Sequence, residues 1–232
     1  MKWDNIDIRN YGWNSEITNY VQKSIVAHKV AQIAKNGDVI GFGSGSTAYL
    51  AVLEIAKRVE NDGLKIKAIP TSKEIAFICL ELGIPITSIL EEKPDWCFDG
   101  ADEVSQNQDL IKGRGGAMFN EKLVMKSSDK SYIIVDESKF VTELGEKFSV
   151  PVEITQSSMP YVVRELEKLN AIYISLRPAK SKDGPLITEN GNFILDVRFN
   201  KIESHYEKEI KAITGVIETG LFIGYDLEVI KV

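Results

Sequence analysis

Between Asp99 and Glu121 the sequence reads DGADEVSQNQDLIKGRGGAMFNE, 23 residues in which carboxylates, one lysine and a glycine cluster alternate with few apolar side chains. Asp99 and Asp102 follow the apolar run Trp96-Cys97-Phe98, which predicts that they sit at the carboxyl end of a buried strand, where open α/β sheets bind their ligands. Lys112 leads into Gly113, Arg114, Gly115 and Gly116, a turn whose glycines let backbone approach a ligand closely. Glu121 follows on a helix predicted over residues 117–125. Two aspartates, a lysine and a further carboxylate converging on a glycine-lined pocket are suited to moving protons on a small polar substrate. Each residue alone has a plainer reading: an Asp after a strand caps a turn or helix, and a Glu in a first helical turn faces water and the helix dipole. Their clustering favours chemistry.

A second stretch joins the short apolar strand 39–42 to a helix predicted over 49–59: Gly43, Ser44, Gly45, Ser46 and Thr47. Backbone N–H groups at such a helix start, with the helix dipole behind them, form an anion cradle. The dinucleotide fingerprint fails here because Ser46 stands where its last glycine belongs, and the mononucleotide loop fails because its lysine is absent. A compact phosphate monoester held by hydroxyls and amides fits the residues. The plainer alternative is a tight turn with an ordinary serine cap.

These two stretches need elements to position them. Apolar positions Val21, Ile25, Val26, Val30 and Ile33 recur at helical spacing from residue 17, with His28 expected on the packed side. Strands are predicted at 39–42, 65–70, 95–98 and 132–135, and Thr71-Ser72-Lys73-Glu74 resembles a capping box opening a helix over 75–82. Thr71 and Ser72 also fall after a strand, where they can line the same crevice. Polar residues at the carboxyl ends of successive strands predict a doubly wound, mostly parallel α/β sheet of Rossmann-like type with one ligand crevice. Beyond residue 145 a βαββαβ pattern appears, with strands at 150–154, 171–176, 193–197 and 215–223 and helices at 159–169 and 205–213. It predicts a smaller inserted α+β domain of ferredoxin-like type over 146–222, with 1–145 and 223–232 forming the larger domain and 1–22 a polar extension. The basic loop from Arg177 to Gly184 reads as solvated.

Composition narrows the function. The 232 residues carry 28 basic and 34 acidic side chains, a net charge of −6, which argues against a nucleic-acid partner. No apolar run reaches the roughly 20 residues that span a bilayer, and residues 1–15 lack the order of a signal peptide. A cytoplasmic location is expected, with Cys79 and Cys97 as buried, inert thiols. His28 and His205 are the only histidines, so a zinc site has little to build on, and no metal or other cofactor is expected.

Four blocks resemble the A-type ribose-5-phosphate isomerases: GSGSTA from Gly43, DGADE from Asp99, KGRGGA from Lys112 with EK nine residues on, and DESK from Asp136. The resemblance extends from about Lys23 to Val232, and Gly220-Leu221-Phe222 also fits. It implies a sugar-phosphate substrate, with Glu121 as the base moving a proton between C2 and C1. It further implies that Asp99, Asp102 and Lys112 handle hydroxyl protons and the enediolate, Asp99 also assisting ring opening. Ser44, Ser46 and Thr47 would grip the 5-phosphate, and Lys139 and Lys23 would complete the charge pocket. Assembly as a homodimer or homotetramer through the small domain is implied as well. Two alternatives stand beside it. A non-catalytic sugar-phosphate sensor needs the phosphate cradle but no acid-lysine set, and a related amino-sugar-phosphate deaminase or lactonase would put different chemistry in the same crevice.

Overall fold

A computed structural model describes Trp13 and residues 16–232. From the amino end the elements run α1 (Tyr20–Ala31), β1 (Val39–Phe42), α2 (Ser46–Asp62), β2 (Lys67–Pro70), α3 (Lys73–Glu81), β3 (Trp96–Asp99), β4 (Glu103–Val104), β5 (Leu110–Ile111), α4 (Met118–Ser127) and β6 (Lys130–Ile134). They continue with β7 (Val150–Ile154), α5 (Met159–Lys168), β8 (Ala171–Leu176), β9 (Phe193–Phe199), α6 (Tyr206–Ala212), β10 (Val216–Thr219), β11 (Leu221–Phe222) and β12 (Glu228–Ile230). Two compact units result: the described residues up to Gly100 with Leu123–Asp136 and Glu228–Val232, and Ala101–Lys122 with Glu137–Leu227. The second takes in 146–222 together with 101–122, 137–145 and 223–227.

In the first unit the short apolar runs become one five-stranded sheet of order β12-β6-β3-β1-β2, with every pair parallel. Counting only its own strands from the β2 edge, this is the doubly wound order 2-1-3-4-5, whose direction reverses between β1 and β3. Such sheets bind ligands beyond the strand ends at that reversal. The loops after β1 and β3 carry GSGST and DGADE. The core beneath includes Ile40, Phe42, Ala51, Ile55, Ile75, Phe98 and Ile134, and Trp13 stacks on Tyr49 at 5.7 Å between ring centroids.

The second unit holds two antiparallel sheets. The four-stranded one has order β10-β7-β9-β8, the arrangement expected of a βαββαβ unit, over a core of Val152, Val162, Leu166, Leu195, Val197 and Ile210. The three-stranded one, β11-β5-β4, has strands of two residues and left no alternation to read in the sequence. Its β11 comes from the predicted strand 215–223, which breaks at Gly220.

Several local expectations are corrected. α1 starts at Tyr20 rather than at residue 17, after Asn19 in the left-handed region (φ 54°) with its side-chain amide donating to Asp136 Oδ1 at 3.1 Å. Its buried face is Lys23, Val26, Ala27, Val30 and Ala31, so Val21 is 71% exposed and Ile25 40%. His28 is consequently not a core residue; its exposed ring meets Glu54 at 3.0 Å. The α3 cap is Ser72, whose hydroxyl accepts from Ile75 N–H at 3.3 Å, and not Thr71. The expected extension 1–22 lies outside the described residues except for Trp13 and 16–22. Among the described residues no helix is long and apolar enough to cross a membrane.

Cys79 and Cys97 are both buried thiols, and Cys97 Sγ donates to the Ser131 hydroxyl at 3.5 Å. Burial pushes the Cys79 thiol up to about 12, so at pH 8 only roughly one molecule in 10⁴ carries its thiolate, the reactive form. Ellman's reagent at pH 8 is therefore expected to leave the native protein unmodified over minutes and to titrate two thiols after unfolding. Fast labelling of the native chain would contradict the burial.

Candidate active site

The site residues fall into two groups, each built within one unit. In the first, β1 ends at Phe42 and the chain turns through Gly43, whose N–H donates to the Phe98 carbonyl at 2.8 Å. A Cβ at position 43 would lie 2.3 Å from Asp99 Cγ, so only glycine lets the Asp99 carboxylate fold against this turn. Asp99, 4% exposed, accepts at Oδ1 from Ser44 N–H at 3.1 Å and Gly100 N–H at 2.7 Å. The Ser44 hydroxyl joins the Thr71 and Ser72 hydroxyls at 2.8 and 2.9 Å, a polar cluster over the ends of β1 and β2.

α2 opens inside the glycine-hydroxyl stretch, at Ser46 after Gly45, so its first amides and the Ser46 and Thr47 side chains share one turn. Its 17 residues place a full helix dipole behind that turn. The lysine that α1 buries, Lys23, reaches Ser46 Oγ with Nζ at 3.0 Å. A buried ammonium beside a helix N-terminus forms a strongly anion-seeking corner. Lys23, Gly43, Ser44, Gly45, Ser46, Thr47 and Asp99 are thus gathered in the first unit.

In the second unit Lys112 leaves β5 and runs into the glycine turn, where Gly113 adopts φ +96° and packs on Met118 at the start of α4. That places Lys112 Nζ 3.3 Å from Glu121 Oε2, with the two side chains 3% and 6% exposed. Asp102 Oδ2 accepts from Arg114 N–H across the same turn at 3.1 Å. Arg114 stacks on Phe148 at 5.0 Å, and Lys139 Nζ lies 5.8 Å from the same ring. Asp102, Lys112, Gly113, Arg114, Gly115, Gly116, Glu121 and Lys139 therefore belong to this unit. It also contains a cavity of about 770 Å³ whose lining includes Asp102, Arg114, Phe148, Arg177, Lys180 and Arg198.

Four supporting residues were not among the candidate site residues read from the sequence. Glu103, fully buried, accepts N–H bonds from Gly145, Lys147 and Phe148 at 2.6 to 2.7 Å and so pins the loop behind Arg114. Lys122, next to Glu121, donates to Glu207, Glu218 and the Thr219 and Leu221 carbonyls at 2.8 to 2.9 Å. Tyr225 donates to Glu207 at 2.7 Å; burial, with that carboxylate, pushes its phenol up, keeping the proton in place. The fourth is Arg177. Expected in a solvated loop, its side chain is only 12% exposed because it pairs with Asp196 on β9.

A carboxylate and an ammonium 3.3 Å apart, both out of water, are suited to serve as a base and an electrostatic partner for an oxyanion. The ribose 5-phosphate isomerase A (phosphoriboisomerase A) family profile matches residues 67–231. The chain belongs to that family. It is 45% identical to ribose-5-phosphate isomerase A 1 of Oceanobacillus iheyensis, over 87% of this chain and 89% of that one. Against the Methanocaldococcus jannaschii family member the identity is 40%, over 90% and 93%. The solved Methanocaldococcus jannaschii enzyme superposes with a TM-score of 0.86, covering 88% of this chain and 92% of that one. A D-ribose-5-phosphate isomerase solved with phospho-erythronic acid also gives 0.86 at 35% identity, covering 90% and 92%.

Lys122 is the buried cation that holds the first turns of α4, and with them Glu121, against the chain around Thr219 and Leu221. Lys122→Met removes the buried counter-charge between Glu207 and Glu218 and leaves only Lys211 beside Glu218, a loss of about 3 kcal/mol by analogy with other broken buried pairs. A fall in melting temperature on the order of 10 °C is expected in calorimetry. An unchanged melting temperature would show that the cluster contributes no stability.

Proposed function

We propose that the chain interconverts D-ribose 5-phosphate and D-ribulose 5-phosphate, an aldose–ketose isomerisation of the non-oxidative pentose phosphate pathway, through an enediolate. The observation that carries this is the buried Lys112–Glu121 pair at 3.3 Å in a member of this family. In the open-chain aldose the Glu121 carboxylate takes the C2 proton, and the C–H electrons move into the C1–C2 bond as the carbonyl π pair shifts to O1. The Lys112 ammonium stabilises the charge that develops there. Asp99, Asp102 and Lys112 move the hydroxyl protons between O1 and O2, with Asp99 also assisting ring opening. Glu121 then returns its proton to C1, giving the ketose. One carboxylate serves both half-reactions, and nothing is oxidised or reduced overall.

The 5-phosphate is held by the first amides of α2 and the Ser46 and Thr47 hydroxyls, with Lys23 beside Ser46 adding positive charge. Ser44 shapes the turn through Thr71, Ser72 and Asp99, and Lys139 supplies a further cation. Gly113, Arg114, Gly115 and Gly116 offer backbone at the carbonyl end. A metal-free enzyme is expected, working in the cytoplasm as a homodimer or homotetramer. The exposed Ile172 and Tyr173 on β8, each 56% accessible, support assembly through the four-stranded sheet. The sensor alternative needs no buried base, and the two histidines are too exposed to serve the deaminase alternative as a buried catalyst.

Ribose 5-phosphate incubated with the purified chain in EDTA is expected to yield ribulose 5-phosphate, read by its carbonyl absorbance. Glu121→Gln is expected to lower kcat by roughly 10²- to 10⁴-fold with KM little changed. Tight sugar-phosphate binding without turnover would favour the sensor, and near-normal kcat in Glu121→Gln would remove Glu121 as the base. Phospho-erythronic acid, whose carboxylate presents charge where the enediolate develops it, is expected to compete with substrate. Lys112→Met is expected to weaken that competition more than it weakens competition by inorganic phosphate.

A further inference from the structure

The guanidinium of Arg177 makes two sets of bonds. Nε donates to Asp196 Oδ2 at 2.9 Å while Nη2 donates to Oδ1, a two-pronged pair that fixes the plane of the group. Nη1 then donates to two successive carbonyls of the glycine turn, Gly113 O and Arg114 O, each at 2.9 Å. Arg177 directly follows β8, which pairs with β9 with Leu176 opposite Leu195; its N–H donates to the Ile194 carbonyl at 2.9 Å and Asp196 lies on β9, so the anchor is rigid.

The Gly113 carbonyl and the Arg114 N–H belong to one peptide unit, planar and trans, so they point in opposite directions. Holding that carbonyl fixes where the N–H points. In this structure it points at Asp102 Oδ2, 3.1 Å away. The chain of contacts is therefore Arg177 Nη1–H to Gly113 C=O, through one rigid amide, to Arg114 N–H and the Asp102 carboxylate. A cation on the carbonyl also polarises the amide and strengthens its N–H as a donor. Lysine, with a single compact ammonium, cannot grip both Asp196 oxygens and both carbonyls in one plane.

We infer that Arg177, locked by Asp196, is a positioning residue for Asp102 and acts through the Gly113–Arg114 peptide. The inference rests on the isomerase reading, in which Asp102 handles substrate hydroxyl protons. Arg177 touches no substrate in it. Misplacing the turn by about 1 Å is sufficient to cost roughly 10²-fold in rate. Because Arg177 also lines the 770 Å³ cavity, its removal leaves a space that small solutes can enter from solvent.

The test is a double-mutant cycle on kcat with Arg177→Ala and Asp102→Asn, measured on ribose 5-phosphate with the full chain. Arg177→Ala is expected to lower kcat by roughly 10- to 100-fold with KM changed less than threefold, and millimolar guanidinium is expected to restore part of the loss. In the Asp102→Asn background the same substitution is expected to cost less than threefold more, since both act at one point. A wild-type kcat in Arg177→Ala, or losses that multiply in the double variant, would overturn the inference while leaving the isomerase reading standing. An Asp102→Asn enzyme with full kcat would overturn it as well, and a wild-type chain without turnover would overturn both readings. If Arg177→Ala does not fold, Arg177→Lys takes its place in the cycle: loss of kcat dependent on Asp102 supports the inference, and full kcat with only a lowered melting temperature overturns it.

Discussion

The buried charge pair Lys112–Glu121 sets the terms for the second unit. An ammonium and a carboxylate out of water are tolerated only with good geometry and compensated surroundings, and removing one partner leaves an uncompensated charge. Lys112 is held by its backbone, whose N–H donates to the Gly220 carbonyl at 2.8 Å, and Glu121 by a helix whose next residue is tied down by two carboxylates and two carbonyls. Both ammonium groups face the ring of Phe222, Lys112 at 5.8 Å and Lys122 at 4.5 Å, so one aromatic side chain separates the lysine of the site from the lysine of the scaffold. In the proposed reaction the adjacent Glu121 and Lys122 are a base and its anchor side by side.

The first unit answers a different constraint. A phosphate carries its charge in three exposed oxygens, and a helix start with free-facing amides meets it without a large side chain. Phe42 ends β1 opposite Phe98 on the parallel β3, which ends at Asp99, at the reversal of strand order, and this delivers the Gly43 turn and Asp99 to the same place. Their closeness leaves no room for a Cβ at 43. Lys23 enters this corner from α1 as a buried residue among Val26, Ala27 and Val30, which is why the helix turns Val21 and Ile25 to solvent.

What the sequence disclosed follows the range of the interactions involved. Fully buried parallel strands read as short apolar runs, so β1, β3 and β6 were legible, as were the βαββαβ order and the motif residues at strand ends. β4, β5 and β11, two residues each, carry no period. Arg177 read as part of a solvated loop because its partners in the glycine turn lie 64 and 63 residues away. Lys122 likewise finds Glu207 and Glu218 at separations of 85 and 96. His28 was misplaced for a related reason: helical spacing alone does not register that a lysine takes part of the inner face of α1.

The central claim is that a carboxylate carries a proton between adjacent carbons, and carbon-bound hydrogen reports it directly. Ribose 5-phosphate equilibrated with the wild-type chain in D2O for many turnovers is expected to gain one solvent deuterium at the exchanging carbon, read by mass spectrometry. Glu121→Gln is expected to slow that gain in step with its loss of turnover. Complete aldose–ketose equilibration with no carbon-bound deuterium after many turnovers would contradict proton transfer through a carboxylate that exchanges its proton with solvent at this site.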